Sequence, residues 1–232
     1  MSDEINEVNY NLVRIDTGEG LDEVVRALCL PAAIKVGSAL DQLADVAISN
    51  VKRTFNWAKR KNPEMGQSET VHPRLLLELV QKAAFVDDEV LSEAWAGLLA
   101  SSATEDASDL GNLKYTNILS QLTPTQARIV RFVYEDERFK RAFHWEAGRK
   151  LLIETINTQF ETGVLAQACG EHRPEELNAE LVCLKQFDLV SGYFYSTSWD
   201  VVGLSPTRFG TMFYIRCQGS RKSMYDYFHG DA

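Results

Sequence analysis

Residues 72–103 read HPRLLLELVQKAAFVDDEVLSEAWAGLLASSA. Apolar residues recur there at helical spacing, with one break at Val86-Asp87-Asp88. In the first half Leu75, Leu76, Leu79, Val80 and Ala83 share a face; in the second half Leu91, Ala94, Trp95, Leu98 and Leu99 do. Pro73 suits the first turn of a helix, where its missing N–H is not needed. Asp87, Asp88 and Glu89 put negative charge at the positive end of the next helix. The stretch therefore predicts a buried helical hairpin, with Trp95, Leu98 and Leu99 as its structural core signature. A helical Trp flanked by leucines buries a large area, and truncating one costs about 3–5 kcal/mol. Nothing in the stretch is chemically reactive.

Toward the N-terminus, residues 1–20 are polar and end in the breaker Thr17-Gly18-Glu19-Gly20, which predicts a flexible arm. Residues 21–62 predict N-terminal helices. The first places Leu21, Val24, Val25 and Leu28 on one face, and Pro31 interrupts it. The second is long and ends near Lys61. Its last part carries Lys52, Arg53, Lys59, Arg60 and Lys61, with no acid from Val51 to Lys61. These five residues are candidates for contact with an anion, a lipid surface or nucleic acid. The simpler account is a solvated face with favourable positive charge at a helix C-terminus. Phe55 and Trp57 add interest, because a basic amphipathic stretch with aromatics can lie on a membrane. Residues 62–68 combine Asn, Pro, Gly and Ser and predict a linker.

Toward the C-terminus, 103–112 predicts a loop and 113–122 a short helix. Thr123-Pro124-Thr125-Gln126 is a strong helix start: Thr123 caps, Pro124 sits first, and Gln126 completes a capping box. Charges around Asp136 and Lys140 suggest a bend. Residues 146–168 predict a further helix carrying Leu151, Leu152, Ile156, Phe160 and Leu165. A helical core thus spans 69–168. The last third changes character. A helix starts at Pro174, and 189–195 and 199–204 are short runs rich in Val, Tyr, Phe and Trp, which predict a β-hairpin. Ser205-Pro206 is expected to start a final helix, and 219–232 to form a frayed tail. The expected fold is mainly α, a multi-helix bundle with a winged-helix-like α+β unit at 173–218.

The phrase DDEVLSEAWAGLLASS at 87–102 resembles the signature of the bacterial abortive infection alpha (Abi-alpha) family. Pro73, the acidic step Asp87 to Glu89, Trp95-Ala96 and Leu98-Leu99-Ala100 match it. Downstream, ILSQLTPTQARIV at 118–130 is similar to the family's short helix, Leu-Ser/Thr-Pro step and second helix. The match lies mainly within residues 30–135. LKQFDLV and VVGLSPTRFG are similar to winged-helix ends in many bacterial proteins. The resemblance implies a role in defence against bacteriophage and carries over no active-site residues.

Composition narrows the chemistry. The formal net charge of −9 repels nucleic acid unless basic residues are segregated, so nucleic acid ranks low among partners. No apolar run approaches the roughly 20 residues needed to span a bilayer. The acidic N-terminus lacks a secretory pattern, and the expected location is the cytoplasm. Cys29, Cys169, Cys183 and Cys217 show no CxxC spacing, and no Cys-His cluster resembles a zinc site. Walker, GxSxG, HExxH and dinucleotide motifs are missing. His144 and His172 are isolated, and Asp106 and Asp109 have no evident partner. The expectation is a non-enzymatic helical protein with no catalytic, metal or cofactor residues and no cofactor. It acts by sensing infection or binding an unidentified protein or phage component. A homodimer is a further expectation for its partners, and a winged-helix nucleic-acid binder and a membrane-surface effector acting through the basic 51–61 stretch are the alternatives.

Overall fold

The computed structural model describes residues 39–140, 158–170, 173–195 and 200–229. The described residues are mainly helical, with two small antiparallel sheets. The chain divides into two compact units, residues 1–120 and 121–232. The break falls inside the 69–168 span, at the loop before the Thr123 cap. The arm expected at 1–20 and the helix expected from Leu21 lie outside the described residues.

The first unit contains α1 (Ala39–Lys61), β1 (Thr70–Val71), α2 (Pro73–Ala83), α3 (Glu89–Ala100), β2 (Ala103–Thr104) and α4 (Leu113–Leu119). The helical hairpin of 72–103 is α2 and α3. His72 caps α2, its Nδ1 accepting from the Arg74 N–H at 3.1 Å. Asp88 caps α3, its Oδ1 accepting from the Leu91 N–H at 3.0 Å. The acidic step is thus an N-cap, which satisfies donors the helix cannot. α1 packs most extensively on α3, and α2 packs on α1, α3 and α4. Trp95 is 1% exposed, and Leu98, Leu99, Leu75, Phe55 and Leu119 are buried with it.

Two expectations for this unit change. The 62–68 segment is a compact turn, not a linker. Asn62 Nδ2 donates to Glu69 Oε2 at 2.8 Å and to the Ala100 carbonyl at 3.1 Å. The Gly66 N–H donates to the Glu69 carbonyl at 2.7 Å, and Gly66 takes the left-handed φ of 85° that the turn needs. Met65 is buried beneath it. The polar composition that suggested a linker is spent on turn hydrogen bonds. The 103–112 loop begins in a strand: Val71 pairs with Ala103 and Thr70 with Thr104. Its far end is anchored by buried Asn112, whose Nδ2 donates to Ser101 Oγ at 3.1 Å and Ser102 Oγ at 2.8 Å. Both hydroxyls donate onward to the Leu98 carbonyl.

The second unit contains α5 (Pro124–Glu135), β3 (Thr158–Glu161), α6 (Thr162–Cys169), α7 (Pro174–Gln186), β4 (Val190–Tyr195), β5 (Val201–Pro206), α8 (Arg208–Cys217) and α9 (Met224–His229). The capping box is present in full. The Gln126 N–H donates to Thr123 Oγ1 and the Thr123 N–H to Gln126 Oε1, both at 3.1 Å. The expected hairpin is β4–β5, with Gly192 opposite Leu204 and Tyr195 opposite Val201. β3 adds to its other edge, giving the order β3-β5-β4, antiparallel throughout.

Three further expectations are corrected here. Residues 158–161 form a strand and not the middle of a 146–168 helix; 141–157 lie outside the described residues. Thr158 and Phe160 are buried while Gln159 and Glu161 are exposed, a period of two that a four-residue strand is too short to display in a sequence. The last long helix starts one step later than Ser205-Pro206. Pro206 ends β5, and Thr207 caps α8, its Oγ1 accepting from the Gly210 N–H at 2.8 Å. The expected frayed tail contains α9, held by aromatic contacts. Phe228 meets Phe139 edge-on at 5.3 Å and Tyr227 meets Tyr214 at 6.4 Å.

The core of this unit centres on Tyr134. Its ring stacks on Tyr214 at 5.3 Å and meets Phe139 edge-on at 5.5 Å. Its hydroxyl donates to the Leu189 carbonyl at 2.6 Å and accepts from the Thr207 N–H at 3.3 Å. Gly210 lies against the same hydroxyl and the Leu189 carbonyl, where any Cβ would collide. Burial pushes the phenol of Tyr134 far above its ordinary range.

Candidate functional site

The basic end of α1 is the candidate carried from the sequence, and the structure separates its five residues. Arg53 is a clamp. Its Nη2 reaches the Val86 carbonyl at 2.9 Å, Ser92 Oγ at 2.8 Å and Asn50 Oδ1 at 3.2 Å. Its guanidinium lies 5.7 Å from the Trp57 ring centroid. It ties α1 to the α2–α3 turn, where Asn50 Nδ2 also donates to the Ala84 carbonyl at 3.0 Å. Its Nε is buried and has no hydrogen-bond partner among the described residues.

Lys61 Nζ lies 3.6 Å from Glu93 Oε1, and both are partly exposed, so the pair contributes little. Lys59 borders a small cleft shared with Phe55, Met65, Gly66, Glu69 and Leu76. Lys52 is half-buried and Arg60 exposed. On a helix advancing about 100° per residue, Lys52 and Lys59 fall within ~20° of one another, while Arg53, Arg60 and Lys61 point elsewhere. The five cations are not one patch. The arrangement presents a short Lys52–Lys59 stripe and one structural arginine.

In the second unit α7 presents a long exposed face. Glu175, Glu176, Lys185 and Asp188 are exposed, and Val182 is 44% exposed. Arg173 pairs with Glu176 at 3.3 Å. Glu180 is committed to α5, accepting from Gln126 Nε2 at 2.6 Å and Thr123 Oγ1 at 3.2 Å. The helix and its ends hold two bases, Arg173 and Lys185, against four acids, Glu175, Glu176, Glu180 and Asp188.

Other reactive side chains are spent locally. Asp106 accepts from the Ser108 hydroxyl and N–H and from the Thr104 hydroxyl, and these bonds, Ser108's foremost, hold its carboxyl below the usual range. Asp109 accepts from the Gly111 N–H at 2.6 Å. Both acids therefore have partners that the sequence did not reveal. Partial burial pushes the Asp136 carboxyl up, but hydrogen bonds and charge from Arg138 outweigh it and hold it low. Burial pushes the Cys169 thiol up to about 12. Among the described residues no group of three or more His, Cys, Asp or Glu side chains could hold a metal ion. His144, His172 and Cys29 lie outside the described residues.

The abortive infection alpha family model matches residues 44–198. The chain belongs to the abortive infection alpha family. The matched span runs from α1 into the hairpin of the second unit, well past the 30–135 span of the resemblance. It contains the Trp95 helix, the Arg53 clamp, the capping box and α7, so the Abi-alpha signature includes elements of both units. No curated protein and no solved structure matched the chain. Among the described residues no helix is long and apolar enough to cross a membrane.

Sequence reasoning missed three parts of this Abi-alpha chain: the Arg53 clamp, the Asn112 anchor and the Tyr134 centre. Arg53 had a signal, since it lies one turn after Asn50, a polar residue beside the apolar face of α1. Asn112 and Tyr134 had none, because their partners are distant in sequence or are backbone atoms.

Proposed function

We propose that this protein is a non-enzymatic abortive-infection factor of the bacterial cytoplasm that limits phage growth by binding a macromolecular partner. The observation that carries the reading is the family match over residues 44–198. It is supported by how the polar side chains in that span are used: Arg53, Asp88, Asn112 and Glu180 are engaged in capping and clamping. The test is plaque counting on a bacterial host with and without expression, over a panel of phages. Expression should lower plaque numbers for at least one phage, and Trp95→Ala should abolish the protection. Equal plaque counts across the panel overturn the reading. Turnover of DNA, RNA or nucleotides by purified protein overturns the non-enzymatic part.

A second reading concerns the C-terminal unit, which we take to be of winged-helix type. The support is its element order, α5, β3, α6, α7, β4, β5, with the strand order β3-β5-β4. On that reading α7 takes the recognition position and β4–β5 that of the wing. The excess of acids on α7 opposes insertion into a groove, where phosphate contacts dominate affinity. The unit then serves as a protein-docking module. A salt-sensitive mobility shift with duplex DNA would instead favour nucleic acid. Partitioning onto anionic vesicles that is lost when Lys59, Arg60 and Lys61 are changed to Glu would favour a membrane surface.

A further inference from the structure

α1 outruns the helix it packs on. Arg53 meets Ser92 and Asn62 meets the Ala100 carbonyl, so α1 and α3 run side by side in the same direction. By that register Glu89, where α3 starts, lies level with the Asn50 to Arg53 turn of α1. Residues 39–49 of α1 therefore extend past α3, over about 16 Å at 1.5 Å per residue. Leu43 and Val46 stand there 50% and 49% exposed. Leu43 is seven residues before Asn50 and Val46 seven before Arg53, so each falls within about 20° of the residue it precedes. Asn50 and Arg53 hold the 84–86 turn against α1. Leu43 and Val46 thus lie on the side of α1 that this turn covers further along, and Phe85 on the turn is itself 61% exposed. The three leave apolar surface along one flank of the first unit.

We propose that this flank is the docking site of residues 21–30 of the same chain, packed as a helix antiparallel to the start of α1. Residues 1–38, outside the described residues, join α1 one helical turn before Leu43. Leu21, Val25 and Leu28 share a face at helical spacing, while Asp22, Glu23 and Arg26 fall on the other side. Laid antiparallel, Leu28 comes level with Leu43, Val25 with Val46, and Leu21 with Asn50 beside the Phe85 turn. The steps of three and then four residues match in reverse order. Ten helical residues measure about 15 Å, which suits the part of α1 that extends past α3. The eight residues 31–38 remain for the reversal, within the two to eight usual between helices of a bundle. Pro31 and Gly37 among them disfavour one uninterrupted helix. A segment tethered through so short a connection acts at an effective concentration of about millimolar, which outcompetes a free second copy for the same flank.

The inference is independent of the infection phenotype and is tested separately, by amide hydrogen exchange with mass spectrometry on the full-length chain. Peptides within 21–30 should exchange at least about tenfold slower than the same sequence as a free peptide. Val46→Asp sets a charge beneath the segment and Leu28→Asp sets one on its apolar face. Each should erase that protection and leave the peptides of α3 and α5 unchanged. Should Val46→Asp also loosen α3, Leu28→Asp decides, since it alters no described residue. Asn56→Asp, exposed on α1 but off this flank, should keep the protection. Wild-type peptides of 21–30 that exchange as fast as the free sequence overturn the proposal. So does protection that survives both Val46→Asp and Leu28→Asp. Protection that grows with protein concentration assigns the flank to a second copy, and protection seen only with anionic lipid vesicles assigns the segment to a membrane; either result overturns the proposal.

Discussion

Replacing Tyr134 by Phe removes one oxygen from the centre of the C-terminal unit and leaves the ring in place. The stack on Tyr214 at 5.3 Å and the edge contact with Phe139 at 5.5 Å survive. What is lost is the link between the Leu189 carbonyl at 2.6 Å and the Thr207 N–H at 3.3 Å. Both residues are buried, so water cannot take over without opening the β4–α8 region. A buried polar group left without a partner costs about 1–3 kcal/mol. The short bond to Leu189 accounts for most of the loss and the long, weak one from Thr207 for little, so the loss is about 2–3 kcal/mol. Burial holds the phenol protonated, so the loss should be the same from about pH 5 to 9. Urea unfolding followed by circular dichroism gives the magnitude. Amide hydrogen exchange gives the location, with Thr207 losing protection before residues of α5. A cost under about 0.5 kcal/mol, or unchanged exchange at Thr207, would refute the reasoning. Tyr134→Leu should cost more, since it also gives up ring contacts worth about 0.5–1.5 kcal/mol each.

Arg53 and Arg60 are one helical heptad apart and should behave differently. Arg53→Ala should destabilise by about 2–4 kcal/mol, because charge-assisted bonds to buried partners are lost, whereas Arg60→Ala should change stability by less than about 0.5 kcal/mol. Equal thermal shifts for the two would return Arg53 to the surface patch. Asn112→Ala should cost about 1–3 kcal/mol and raise proteolysis in the 103–112 loop, because Ser101 and Ser102 lose their shared donor. Unchanged cleavage there would count against the anchor. Cys169 should resist iodoacetamide at neutral pH while Cys183, half-buried, is labelled faster. The folded thiol titrates near 12 against an ordinary value of 9.0, so the folded state holds its proton longer. Stability linked to Cys169 is therefore intact below pH 9.0 and declines as pH rises from there toward 12. Cys169→Ala should flatten that decline in a thermal melt.

The elements legible in the sequence are those whose cause is local. The α2–α3 hairpin could be read from periodicity, and the starts of α2, α3, α5 and α7 from Pro73, Asp88, Thr123 and Pro174. Each of these signals concerns residues within one turn of each other. β3 reads as helix in the sequence because four residues are too few to separate a period of two from one of 3.6, and β5 supplies its partner from forty or more residues away. α9 reads as a frayed tail in the sequence because its order comes from aromatic contacts outside itself, to Phe139 far upstream and to Tyr214 in the preceding helix. The basic run of α1 illustrates the same divide. Its composition named five cations, and only the packing of α1 against the Ala84 to Val86 turn removed Arg53 from the group.

The sequence by itself determined a mainly helical chain, the Trp95 hairpin at its core, the capping box at Thr123, the β4–β5 hairpin and the family to which the chain belongs. These follow from spacing, cap chemistry and a contiguous phrase, all properties of short segments. Only the tertiary structure decided that residues 62–68 are a turn, that β3 completes a three-stranded sheet, that Tyr134 bridges two backbone segments and that Arg53 is a clamp. Each of those draws on a partner outside the segment itself, and most on a distant part of the chain. A side chain's residue type fixes which bonds it can make, and folding fixes which partner comes within about 3 Å of it.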